Sequence, residues 1–239
     1  MKIQKFEHIN KLSDGTSCNI YYLEIIIDDV YNHANELIIR IKDNSWINEL
    51  DSISTASYQR KVSDTAKKLE EIFKTPIDST SLKLSEEFGE YMISLDSSES
   101  LKQSLNHKII PLAELWKEKI TGNPGFDFHT ESPQKTIAFG EAKYRSNGNA
   151  YGIAANQVKI FIEEQKDKGD AINLQHLGVS DEAIRNLIAN KRDFILAYSV
   201  NSDNLEKIKI NCLDNENVKF LNMQAQTLYL IGVHIKNDI

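Results

Sequence analysis

The sequence predicts an α/β fold: a central mixed sheet flanked by helices, with an additional β/α region at the N-terminus. Three observations carry this expectation. Between residues 81 and 239 the patterns run helix, strand, strand, helix, strand, an order that lays helices against one sheet. Hydrophobic residues make up 41% of the 239 and charged residues 26%, proportions that let a chain pack a core. Only four prolines and ten glycines occur, too few for long unstructured linkers.

Residues 1–80 form the N-terminal region and 81–239 the core. Asp14-Gly15 marks a turn before an extended run, Asn19 to Ile27, rich in Ile and Tyr. A second run, Glu36 to Lys42, reads as a strand able to pair with it. Asp64 can cap a helix through Lys74, with Ala66, Leu69, Ile72 and Phe73 on one face and Thr75-Pro76 ending it. Ser85 can cap the next, Glu86 to Leu95, where Phe88, Tyr91, Met92 and Leu95 make an apolar stripe. Pro111 suits a first helical position, giving a short helix from Leu112 to Ile120 that Gly122 ends.

The pattern then turns to strands. Gly125-Phe126-Asp127-Phe128 and Thr136 to Tyr144 read as a pair joined by the polar segment Thr130 to Lys135. A helix follows from Tyr151 to Lys166, with Ile153, Ala154, Val158, Phe161 and Ile162 toward the core. Asp181 to Asn190 is another helix; Asp193 to Val200 and Gln226 to Ile235 are strands. Tyr21, Tyr22, Phe88, Tyr91, Phe161 and Phe194 read as core aromatics.

Composition removes several function classes. Cys18 and Cys212 lie far apart and make no metal-type pair, which suits a reducing cytosol. The first residues lack the apolar stretch of a signal peptide, and the longest apolar runs are too short to span a bilayer. A soluble cytoplasmic protein without membrane contact is expected. There is no phosphate-binding glycine loop ending in Gly-Lys-Ser/Thr, no zinc signature and no nucleophile elbow. With 28 Lys and Arg against 35 Asp and Glu the net charge is −7, awkward for unaided DNA binding.

The chemistry concentrates in Asp127 and Glu141-Ala142-Lys143. Residues two apart on a strand share a face, so Glu141 and Lys143 project together, and a neighbouring strand can bring Asp127 beside them. Converging carboxylates repel unless a cation sits between them. Hard oxygen donors suit Mg²⁺, with Mn²⁺ as the alternative. Such a cation polarises a phosphoryl oxygen and acidifies water. Lys143 supplies a point charge able to orient or help deprotonate that water, or to steady a phosphate.

This arrangement resembles the PD-(D/E)XK nuclease superfamily, with the leading half relaxed to Pro124-Gly125-Phe126-Asp127 and the second intact as Glu141-Ala142-Lys143. The resemblance implies a restriction-endonuclease-like sandwich and metal-dependent DNA cleavage. Asp127, Glu141 and the backbone carbonyl of Ala142 would hold the metal, and Lys143 would be the catalytic lysine. It further implies a glutamate from the preceding helix, Glu90 or else Glu87, and a positioning glutamine, Gln157. Residues 84–165, with Gly89-Glu90, Lys117 and Lys119, Gly125 to His129 and Gly140 to Tyr144, are similar to HamA nuclease subunits of Hachiman antiphage defence systems. That similarity implies a superfamily-2 helicase partner. A stand-alone type II restriction endonuclease acting as a homodimer, and an inactive nuclease fold serving as an interaction module, are the alternatives.

Each residue also has a plainer role open to it. Glu-X-Lys is common, and Glu164-Gln165-Lys166 repeats the spacing in a charged helix tail, where it is a solvated pair. Glu141 and Lys143 differ in following the apolar run Ile137 to Gly140, where charge is costly unless compensated. They could still be a structural pair at a strand end. Asp127 could be a turn residue, Glu90 solvent-facing, His129 structural, and Lys117 and Lys119 ordinary surface charge.

Overall fold

The computed structural model describes residues 1–9, 18–77, 84–117, 125–202 and 204–236. The expected Asp14-Gly15 turn, Lys119, Gly122 and Pro124 lie outside these described residues. In chain order the elements are β1 (Lys2–Ile9), β2 (Asn19–Ile27), α1 (Val30–Lys42), α2 (Ser52–Lys74) and α3 (Glu86–Leu105). Next come β3 (Lys108–Ile109), α4 (Ala113–Trp116), β4 (Phe128–Glu131), β5 (Ile137–Lys143) and α5 (Ala150–Glu163). The chain continues through α6 (Lys166–Gly169), α7 (Ala171–His176), α8 (Asp181–Ile188) and β6 (Asp193–Val200). It closes with α9 (Leu205–Asp214), α10 (Glu216–Gln224) and β7 (Thr227–Ile235). A short 3₁₀ turn, Ser45–Glu49, links α1 and α2.

The fold is α/β. All the named strands form one seven-stranded mixed sheet in the order β1-β2-β7-β6-β5-β4-β3. The pairs β2–β7, β7–β6 and β6–β5 are parallel, while β1–β2, β5–β4 and β4–β3 are antiparallel. Strand β6 is buried at every position, which requires cover on both faces of the sheet. Helices α3 and α5 both pack against β5 and β6 and supply that cover. The core therefore runs through the parallel centre, with Phe139, Phe194, Leu196, Leu228 and Leu230 fully enclosed.

Four expectations are corrected. Glu36 to Lys42 is not a strand but the second half of α1. Asp29 caps that helix by accepting from the Asn32 N–H at 2.9 Å. Leu37, Ile39 and Ile41 would share one face of a strand; instead Leu37 and Ile41 are buried and Ile39 is 72% exposed, which only helical spacing allows. The strand paired with β2 in this region is β1. Asp64 does not begin a helix either: it is exposed in the middle of α2, which Asp51 caps through the N–H groups of Ile53 and Ser54. Tyr58 and Val62 extend the stripe of Ala66, Leu69 and Phe73 back toward that cap.

Third, α3 runs ten residues beyond Leu95, to Leu105, and ends in a left-handed Asn106. Its second half buries Asp96, Ser97, Ser98 and Ser100, so apolar periodicity was lost before the helix was. Fourth, Pro111 opens no helix. The N–H groups of Ile110 and Ala113 bond to the carbonyls of His129 and Asp127 at 3.2 and 3.1 Å, holding this segment to the sheet. Only one helical turn follows, and Lys117 is already extended. In α5, Ile153 is also turned outward, at 38% exposure, although Ala154, Val158 and Phe161 are buried as expected. Among the described residues, no helix is long and apolar enough to cross a membrane.

Candidate active site

Asp127 precedes β4 and continues its ladder. Its N–H donates to the Gly140 carbonyl at 3.0 Å, and its own carbonyl accepts from Ala113 at 3.1 Å. Its carboxylate reaches along the neighbouring strand, Oδ2 accepting the Ala142 N–H at 2.8 Å. That bond ties Asp127 into the middle of Glu141-Ala142-Lys143. Close approach of the strands depends on Gly140, because a Cβ there would sit about 2.5 Å from the Phe128 ring.

Lys143 gathers the remaining carboxylates. Its Nζ lies 2.8 Å from Glu141 Oε1 and 3.3 Å from Glu90 Oε1, the latter on α3. Ser85 sets the start of that helix by accepting the Phe88 N–H at 3.3 Å. Gly89 then lets the helix lie directly on Tyr144, whose ring occupies the space a Cβ would need. The Glu141–Lys143 pair is enclosed, at 2% and 13% side-chain exposure. Glu164 and Lys166 also pair, at 3.1 Å, but that glutamate is 54% exposed, as a solvated pair should be.

The electrostatics are frustrated. Loss of water, and then the negative charges of Glu114 and Glu90, outweigh Lys143 and the Ala142 bond to push Asp127 up to about 7. Glu141 is raised well above the usual carboxylate range, by burial first and by Asp127 second. Glu90 is raised by burial despite Lys143. Burial works against charge on Lys143 too, but Glu141, Asp127 and Glu90 overcome it and hold its proton more tightly than in water. Glu141 Oε2 is buried and has no hydrogen-bond partner. A cleft of about 330 Å³ opens beside these groups, lined by Glu86, Glu87, Glu90, Tyr91, Ser94, Glu114 and Asp127.

The donor chemistry fits a hard divalent cation: oxygen ligands, mutual repulsion and one orphaned carboxylate oxygen. The side chains as they stand do not close around it. Among the described residues, no group of three or more His, Cys, Asp or Glu is arranged to hold a metal ion. Lys143 instead supplies the positive charge between Glu141 and Glu90.

The other expected site residues fall elsewhere. Gln157 is half-buried on α5, and no hydrogen bond among the described residues ties it to Asp127, Glu141 or Lys143. His129 is wholly buried among Trp116, Phe126 and Phe139, its Nε2 3.2 Å from Asp170 Oδ2. Burial lowers its pKa, with Asp170 opposing. Lys117 is bound to the same aspartate oxygen at 2.6 Å, so its charge is already engaged there. Glu114 was missed: a lone glutamate outside any motif gives no signal, yet α4 hangs from the Asp127 carbonyl and brings it to the cleft.

No family model, curated protein or solved structure matches the chain.

Proposed function

We propose that this protein is a divalent-cation-dependent nuclease of the PD-(D/E)XK kind, with a restriction-endonuclease-like sandwich as its fold. One observation carries the reading: Asp127 and Glu141, from adjoining strands, are held in mutual repulsion while a buried Glu141 oxygen goes unbonded. That is the electrostatic condition a cation relieves. Asp127 and Glu141 would hold Mg²⁺ or Mn²⁺, with the Ala142 carbonyl and Glu90 as further ligands. When bound, the cation supplies charge neutralisation at phosphoryl oxygens and acidifies water.

The chain's own groups do the rest. The Ala142 N–H fixes one Asp127 oxygen and so aims the other. Lys143 keeps its proton in this environment, which makes it a fixed positive charge for a phosphate or an attacking water rather than a base. The products expected of such a site are a 5′-phosphate and a 3′-hydroxyl.

The cleft wall explains why a partner is part of the proposal. Five of its seven lining residues are Asp or Glu, and the whole chain carries −7, so bare DNA is repelled at low cation concentration. A helicase subunit that holds the DNA, as in an antiphage defence complex, answers that repulsion better than a stand-alone restriction dimer does. One observation favours a second reading, the inactive interaction module: Lys143 already stands between Glu141 and Glu90 as their counter-ion. Plasmid cleavage assayed in Mg²⁺, with the chain alone and with a co-purified helicase, separates the readings. Cleavage abolished by EDTA supports the nuclease; an inert chain in both settings supports the module.

A further inference from the structure

The two edges of the sheet are treated differently. One is β3, two residues long; the other is β1, eight residues long, with no strand on its outer side among the described residues. Unpaired N–H and C=O groups along an edge are a template for another strand, and folds commonly guard against this by keeping edge strands short. β1 is not guarded that way, and it places Phe6 at the edge with 45% exposure. Phe6 and His8 both stack on Tyr21 of β2, at 5.7 and 4.5 Å between ring centroids. Tyr21 in turn stacks on Tyr229 of β7 at 5.7 Å. An aromatic row thus crosses the sheet and stops at its open side.

Charge decides what fits there. Lys5 and Glu7 flank Phe6, with side chains 36% and 37% exposed. If a second β1 pairs antiparallel with Phe6 opposite Phe6, then Lys5 faces Glu7 of the second copy and Glu7 faces its Lys5. Four alternating charges close into a ring, and both aromatic rows join at the two Phe6 side chains. Opposite charges and aromatic pairs directly across an antiparallel ladder each stabilise it. The register centred on Glu7 instead sets two carboxylates against each other. The irregularity between Ile3 and Lys5 limits regular pairing to the segment around Phe6.

We propose that β1 is a self-association edge: two copies pair about a twofold axis at Phe6 and join their sheets into one. The contact is isologous and therefore closes at the dimer. It is independent of the nuclease reading.

Charge complementation tests it on the full chain, by sedimentation at micromolar concentration. Wild type sediments as a dimer. Lys5→Glu alone puts carboxylates opposite carboxylates, Glu7→Lys alone puts ammonium groups opposite ammonium groups, and each sediments as a monomer. Mixed in equal amounts, the two variants restore opposite charges at both positions and recover the dimer. Phe6→Cys provides a second measurement that does not depend on those pairs, since Cys18 and Cys212 are buried. Mild oxidation cross-links Phe6→Cys into dimers, whereas Lys2→Cys, far from its own copy in this register, stays uncross-linked. A monomeric wild type, or single-charge variants that dimerise as well as wild type, would overturn the proposal.

Discussion

Lys143 Nζ lies 2.8 Å from Oε1 of Glu141, while Oε2 of the same buried carboxylate has no hydrogen-bond partner. Half of the carboxylate is therefore satisfied and half is left over. The ammonium balances Glu141 and Glu90 together, and Asp127 adds further negative charge from the next strand.

Removing that ammonium should be costly. Lys143→Ala leaves Glu141 and Glu90 facing each other without a cation, and breaking an enclosed ion pair from one side costs about 3 kcal/mol. Denaturant unfolding in EDTA is expected to show a loss of that order. The loss is larger at pH 8 than at pH 5, because both carboxyls have raised pKa values and take up protons at the lower pH. An equal loss at both pH values would mean that the carboxylates do not depend on Lys143.

Neutralising Glu141 should have the opposite effect on stability. Glu141→Gln keeps the shape but removes the repulsion with Asp127, so the variant is expected to unfold at higher temperature than wild type at pH 8 in EDTA. Added Mg²⁺ raises the wild-type midpoint and leaves that of Glu141→Gln unchanged, since a cation stabilises only the state that binds it. A cation-induced rise of equal size in both would place the binding elsewhere.

Asp193 gives a pH dependence away from the site. It is buried at the start of β6, accepting from the Thr227 N–H at 2.9 Å and from the Thr136 hydroxyl. Loss of water outweighs those bonds and pushes its carboxyl from 3.8 up to about 6. A carboxyl that binds its proton more tightly in the folded state contributes stability below its unfolded pKa and loses it as pH rises through the folded one. Between pH 4 and 6 the loss amounts to about 3 kcal/mol at roughly 1.4 kcal/mol per pH unit. Asp193→Asn should flatten that part of the unfolding profile; an unchanged slope would assign it to other groups.

Gly89→Ala tests how the helix positions the site. Its Cβ falls on the Tyr144 ring, so α3 must shift, at a cost of about 1–3 kcal/mol for overpacking. Because Glu90 is the next residue, that shift separates it from Lys143. Thermal unfolding should register the cost, and Ala at this position should bring the stability gain of a better helix former only if the contact is absent.

The sequence was most legible where side-chain pattern and backbone need agreed. Asn19 to Ile27 and Asp193 to Val200 are strands with the bounds that their apolar runs suggested, and Ser85 caps its helix. Legibility failed where a short apolar run fits both periods: Leu37, Ile38, Ile39 and Ile41 read as a strand, and burial of alternate turns made them a helix. It failed again at Asp96 to Ser100, because a buried polar helix has no apolar stripe to detect. At the site, Asp127, Glu141 and Lys143 came together across the β4–β5 pair, which spacing within each strand could anticipate. Glu114 and Asp170 reach their partners through tertiary contacts of 13 and 41 residues' separation, and nothing local announces them.

The central claim is that Glu141 and Lys143 cleave phosphodiesters with a divalent cation. The most direct measurement compares supercoiled plasmid incubated in Mg²⁺ or Mn²⁺ with wild type, Glu141→Ala and Lys143→Ala, each checked by circular dichroism for a retained fold and each assayed with and without the helicase partner. The account predicts nicked or linear plasmid with wild type and intact plasmid with both variants. Folded variants that cleave as well as wild type, or a wild type that never cleaves, would contradict it.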